Sequence, residues 1–93
     1  MSKTCVATVT INNKLGLHAR PAMLFVESAS TYESDIKVRR ADHREPVDGK
    51  SIMQMMMLAA THGTEVEITA TGADAEVAVE RLVALVDSKF QED

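Results

Sequence analysis

Thr4-Cys5-Val6-Ala7-Thr8-Val9-Thr10-Ile11, followed across Asn12-Asn13-Lys14 by Leu15-Gly16-Leu17-His18-Ala19-Arg20-Pro21-Ala22, changes its hydrophobic period partway along. In the first segment Cys5, Ala7, Val9 and Ile11 alternate with residues that are mainly threonine. That is the period-two pattern of a half-buried strand. From Ala19 to about Ser30 the apolar positions Ala22, Phe25, Val26 and Ala29 follow helical spacing instead. Pro21 suits the first turn of that helix, where its missing N–H costs no helical hydrogen bond. His18 and Arg20 therefore stand at a helix start. Backbone N–H groups without intrahelical partners and the positive end of the peptide dipoles favour an anion there.

Working outward, Asp35 to Arg39 alternates around Ile36 and Val38, and a short strand around Val47 pairs back with it as a hairpin. Pro46 suits its edge position. Ser51 caps a second helix predicted to run to about Ala60, ending near His62-Gly63, where glycine accepts a left-handed terminus. Glu65 to Ala70 reads as a fourth strand with Val66, Ile68 and Ala70 inward. After Gly72-Ala73-Asp74, with Asp74 as the predicted cap, a last helix runs to about Phe90 on a stripe of Ala75, Val79, Leu82, Val86 and Phe90. The order is β-α-β-β-α-β-α. Four strands with the helices stacked on one face make a two-layer α+β sandwich.

At 93 residues the chain is expected to form one domain spanning residues 1–93. No repeat, linker or low-complexity segment interrupts it. The net charge of −4 argues against a nucleic-acid partner, which needs a basic face. Cys5, the only cysteine, allows neither an intramolecular disulfide nor a cysteine zinc cluster. No apolar run approaches the ~20 residues of a membrane span, and the chain enters its first strand without a leader pattern. A cytoplasmic, uninserted protein is expected.

Gly49-Lys50-Ser51 resembles the end of a phosphate-binding P-loop, but that motif requires glycine where Arg44 stands, so nucleotide binding there is not expected. His43 and His62 lack the spacing and carboxylate company of metal ligands; neither a metal nor any other cofactor is expected. Lys37, Arg39, Arg40 and Arg44, interrupted by Asp42 and Glu45, read as a solvated hairpin. Glu65 and Glu67 share a strand face with nothing around them to support acid-base catalysis. In the methionine-rich helix from Ile52 to Leu58 most side chains are expected in the core, with an exposed subset forming an adaptable docking patch.

The chain resembles the histidine-containing phosphocarrier (HPr) family of the bacterial phosphoenolpyruvate-dependent phosphotransferase system. The resemblance covers nearly its whole length. It is carried by Gly16-Leu17-His18-Ala19-Arg20-Pro21-Ala22, Gly49-Lys50-Ser51-Ile52-Met53, Gly63-Thr64 and Gly72-Ala73-Asp74, in that order. It implies an open-faced β-sandwich, a four-stranded antiparallel sheet covered on one face by three helices. It implies that His18 is phosphorylated on Nδ1 by enzyme I and passes the group to an enzyme IIA domain, with Arg20 beside the phosphate. Ser51 matches the serine modified by HPr kinase/phosphorylase, and Ile52, Met53 and Met56 match the family's contact surface. Ser51 acts as a helix cap whether or not it is modified. The segment Arg39 to Asp48 is slightly longer than in many sugar-type members, and Gln54 stands where many kinase-regulated members have glycine. The stretches Ile11 to Gly16 and Ser88 to Asp93 are similar to NPr of the nitrogen-related branch, whereas Gly49-Lys50-Ser51-Ile52-Met53 is more like regulated HPr.

Three function classes follow. A monomeric phosphoryl carrier uses His18 and Arg20 and is not an autonomous catalyst. The alternative is a regulatory binding protein controlled by phosphorylation of Ser51. An autonomous kinase or hydrolase has no nucleotide loop, metal cluster or triad in the sequence to support it.

Overall fold

The computed structural model describes residues 3–91, of which Gln91 is described by its backbone alone. Met1, Ser2, Glu92 and Asp93 lie outside the described residues, and with them both ends of the predicted domain and the last two residues of the NPr-like terminus. The elements are β1 (Lys3–Thr10), α1 (Ala19–Ala29), β2 (Asp35–Arg40), β3 (Val47–Asp48), α2 (Ile52–Met57), β4 (Glu65–Gly72) and α3 (Ala75–Asp87), followed by one 3-10 turn (Lys89–Gln91). The order is the expected βαββαβα. The strands form one antiparallel sheet in the order β1-β4-β2-β3.

Register explains why one face is apolar. Val9 lies opposite Val66, Ala7 opposite Ile68 and Cys5 opposite Ala70. Val38 and Ile36 pair with the same Ile68 and Ala70 from the other side. Because side chains alternate along a strand, these residues share a face. They pack against Ala22, Phe25, Val26 and Ala29 of α1 and Ala75, Ala78, Val79, Leu82 and Val86 of α3 in one buried cluster. The opposite face carries Thr4, Val6, Thr8 and Thr10, all exposed, which makes the sandwich open.

Several boundaries differ from the periodic pattern, each for a tertiary reason. β1 stops before Ile11, whose N–H donates to the Thr64 carbonyl (2.8 Å) and whose carbonyl accepts from Gly63 (2.7 Å). α2 ends at Met57 rather than near Ala60. Ala59, not Gly63, takes the left-handed conformation just beyond it (φ 53°), while Gly63 serves the turn into β4. α3 stops at Asp87, and Phe90 is buried through a left-handed turn at Lys89 and Phe90 (φ 58° and 55°), not as a further helical residue. Burial of the aromatic ring offsets that backbone cost. Asp74 occupies the cap position of α3 but makes no side-chain cap bond. Its carboxylate accepts from the Glu33 and Ser34 amides (both 2.9 Å) and the Ser34 hydroxyl, tying the start of α3 to the α1–β2 turn.

Among the described residues no helix is long and apolar enough to cross a membrane.

Candidate functional site

The loop before α1 is shaped by Asn13, which is fully buried. Its Nδ2 donates to the Gly16 carbonyl (2.7 Å), and its own carbonyl accepts from the Gly16 amide (3.1 Å). Gly16 follows with φ +70°, a conformation that favours glycine. It lies so close to the main chain of Ala60 and Thr61 that a β-carbon would come within 2.7 Å of the Ala60 oxygen. The Leu17 N–H donates to that same oxygen (2.7 Å), and the Leu17 side chain is buried. The segment ahead of the helix is thus fastened to the α2–β4 connection through its backbone, and the Leu17 side chain joins the core.

His18 is the N-cap residue of α1, with extended backbone (φ −84°, ψ −169°), and its carbonyl accepts from the Ala22 amide (3.0 Å). Its imidazole makes no cap bond to the helix. The residue is half-buried and the Nε2 atom is buried. Ala19 and Arg20 follow in the first helical turn, where backbone amides have no intrahelical acceptor, and Pro21 supplies none to waste. The Arg20 side chain is exposed, and the first turn carries no acidic residue. The start of α1 therefore offers backbone donors, the positive end of the helix dipole and, two residues beyond His18, the exposed Arg20 side chain, features that favour an anion.

The second predicted element is also a helix start. Ser51 Oγ accepts from the Gln54 amide (3.2 Å), so Ser51 is a true cap. Gln54 turns its Oε1 to the Asp48 amide (2.9 Å), bracing β3 against α2. The neighbouring Gly49 and Lys50 have structural explanations. A β-carbon on Gly49 would meet the Ile36 side chain at 2.6 Å, and Lys50 Nζ donates to the Tyr32 carbonyl (2.7 Å). These contacts explain the segment without a nucleotide phosphate.

On α2 the expectation of a mostly buried methionine helix is corrected. Only Met55 of that helix is buried, at 1% exposure. Ile52 and Met56, like Met53 and Met57, stand four residues apart and so share a helix face. All four are exposed, Met53 and Met57 by about three quarters (77% and 76%). A six-residue helix has one inward face, and Met55 fills it. Met57 and, on the loop before His18, Leu15 are further exposed apolar residues beyond those predicted from sequence. Leu15 follows the predicted turn residues and Met57 belongs to the run expected mostly in the core, so the sequence singles out neither.

The basic hairpin is likewise not simply solvated. Arg39 donates to the carbonyls of Arg40, Ala41 and His43 and pairs with Glu67 (3.5 Å). Arg40 holds Asp42 through two bonds of 3.0 Å and reaches the carbonyls at the end of α2. Hydrogen bonding from Arg40 holds the Asp42 carboxyl below its usual range. His43 lies beside Asp42, and His62 is exposed in the turn before β4. Among the described residues no three His, Cys, Asp or Glu side chains come together as a metal site.

Residues 6–88 match the family described as "PTS HPr component phosphorylation site". The chain is similar to the phosphocarrier protein HPr of Neisseria meningitidis, with 45% identity over 85 residues, 91% of this chain and 93% of that protein. It is also similar to the phosphocarrier protein NPr of Escherichia coli, with 37% identity over 90 residues, 97% and 99% of the two chains. Its fold superposes on the crystal structure of HPr-C-His from Thermoanaerobacter tengcongensis with a TM-score of 0.89 at 45% identity, covering 96% of this chain and 98% of the other.

Proposed function

The chain belongs to the HPr family of phosphotransferase-system phosphocarriers, and on that premise we propose that His18 accepts a phosphoryl group from enzyme I and hands it to an enzyme IIA domain. The observation that carries this is the placement of a half-buried imidazole at the start of α1 with its Nε2 buried. With Nε2 buried, Nδ1 is taken as the reacting ring nitrogen, as membership of the family implies. Its lone pair forms the new N–P bond as the bond from phosphorus to the donor breaks, and the phosphoryl oxygens meet the Ala19 and Arg20 amides and the Arg20 guanidinium. Ile52, Met53 and Met56, joined by Met57, form the surface that docks both partners. Flexible thioethers suit a face that must fit more than one protein. The carrier acts as a cytoplasmic monomer, in sugar uptake or in a nitrogen-related regulatory branch.

A second reading rests on Ser51, a half-buried cap beside that exposed face. A phosphate placed there by HPr kinase/phosphorylase would add negative charge at the edge of the docking surface, and the helix start would tolerate it. Regulation then acts through partner association.

The test is transfer from phosphoenolpyruvate through purified enzyme I, comparing wild type with His18→Ala by intact mass and acid lability, then adding IIA domains of both branches. One acid-labile phosphoryl group on wild type and none on the variant is the expected result. An unlabelled wild type with a demonstrably active, matched enzyme I would refute the carrier function and bring Ser51-dependent regulation forward.

A further inference from the structure

Resting on the carrier function proposed above, we infer that Arg40 is a positioning residue for phosphoryl transfer. Its guanidinium locks the end of α2 to the β2–β3 connection and thereby fixes the Ala60 carbonyl that holds Leu17, the residue before His18. The carbonyls just past a short helix lack intrahelical donors. Here Arg40 Nη1 supplies one, to Ala59 at 3.0 Å, with a longer contact to Leu58 at 3.4 Å. The other two nitrogens of the fork grip both carboxylate oxygens of Asp42, which fixes the plane of the guanidinium. The Arg40 side chain is only 21% exposed, so it is set among protein atoms and does not swing in solvent. Its backbone is pinned as well, because Arg40 pairs with Val66 and the Ala41 amide donates to Glu65 (3.0 Å).

What this clamp holds is the strained part of the connection. Ala59 has φ 53°, which residues other than glycine seldom adopt and keep only when their surroundings enforce it. The next residue, Ala60, is buried and accepts the Leu17 amide, and Gly16 lies against the same oxygen. A path therefore runs from the sheet through Arg40 to Ala59, Ala60, Leu17 and His18. In the other direction from the clamp, Met56 and Met57 lie within two residues of Leu58. One guanidinium sets the docking face and the phosphoryl-accepting imidazole in a common frame. Phosphoryl transfer needs both, since the reacting atoms and the donor protein must be in register.

The experiment measures kcat and KM for transfer from enzyme I to wild type, Arg40→Ala, Arg40→Lys and Asp42→Asn, at a temperature where each is folded, with amide exchange followed by NMR. Arg40→Ala is expected to lower kcat/KM about tenfold, Asp42→Asn about two- to threefold, and Arg40→Lys to recover part of the loss. The Leu17 and Ala59 amides should exchange faster by a larger factor than those of Val66 and Ile68. A residue serving stability alone would speed all of them together and leave the folded protein's transfer rate unchanged. Asp42 is exposed, so Asp42→Asn keeps the test available if Arg40→Ala does not fold. A folded Arg40→Ala protein, or in its absence a folded Asp42→Asn protein, that transfers at the wild-type rate overturns the assignment. So does Leu17 exchange that rises only in step with the sheet. An unlabelled wild type overturns the carrier function and this role with it, whereas a labelled wild type matched by the variants overturns this role alone.

Discussion

Replacing Gly16 with alanine tests whether the loop before His18 is held by contact with the α2–β4 connection. The added methyl would lie 2.7 Å from the Ala60 oxygen and 2.8 Å from Thr61 Cα, up to 0.7 Å inside the 3.4 Å at which ordinary contact begins. Both neighbours are main chain, so no side-chain rotation relieves the clash. Alanine also carries the left-handed penalty of about 1–2 kcal/mol at φ +70°. Displacing the Ala60 carbonyl weakens its bond with Leu17, worth about 0.5–1.5 kcal/mol. Together the loss is about 1.5–3.5 kcal/mol, or roughly 6–28 °C in Tm for a domain of this size. Gly63 provides the control, because it has φ +90° with nothing within 4 Å of an added β-carbon. Gly63→Ala should cost only the backbone part, about 1–2 kcal/mol. Urea unfolding of both variants measures the difference, and enzyme I-dependent labelling below their melting temperatures reports the effect on His18. Equal destabilisation of the two variants, with labelling unimpaired in Gly16→Ala, would refute the proposed contact.

The methionines of α2 should separate cleanly by role. Met55→Ala, at a buried position, is expected to cost about 2–5 kcal/mol. Met53→Ala and Met57→Ala should stay within about 0.5 kcal/mol of wild type in urea unfolding, while the double variant weakens enzyme I binding about tenfold in a titration. Asp74 makes stability depend on pH. The Ser34 hydroxyl and then the Glu33 amide hold its folded carboxyl below the usual range. Between the folded and unfolded pKa values the unfolded chain binds the extra proton. The contribution is therefore complete above the unfolded value and is lost as pH falls through the folded one. Asp74→Asn should flatten the acid limb of a plot of unfolding free energy against pH, and an unchanged slope would refute the assignment.

Much of the architecture was legible because it is written in local pattern. Alternation in β1, helical spacing in α1 and α3, and Pro21 in a first helical turn placed His18 at a helix start before any tertiary contact was known. Ser51 was legible for the same reason, since its cap bond reaches only to Gln54. Helix ends were less so. The left-handed turns that close α2 and follow α3 fall on Ala59, Lys89 and Phe90, where residue type gives no warning. The patterning of α2 also misled, because Gln54 is the one polar residue in a run of apolar ones and does not by itself mark which methionines face outward.

By itself the sequence determined the order of elements and the placement of His18 and Arg20 at the start of α1. Both depend on interactions within a few residues. Only the tertiary structure decided that Asp74 serves the turn at Glu33 and Ser34, some 40 residues away, in place of its own helix. It also decided that Arg40 reaches 18 and 19 residues along the chain to the end of α2, and that one methionine of that helix turns inward. Such choices depend on which surfaces the fold brings together. A polar side chain bonds the nearest unsatisfied group and an apolar one fills the available space, and neither destination exists until the sheet and helices have packed.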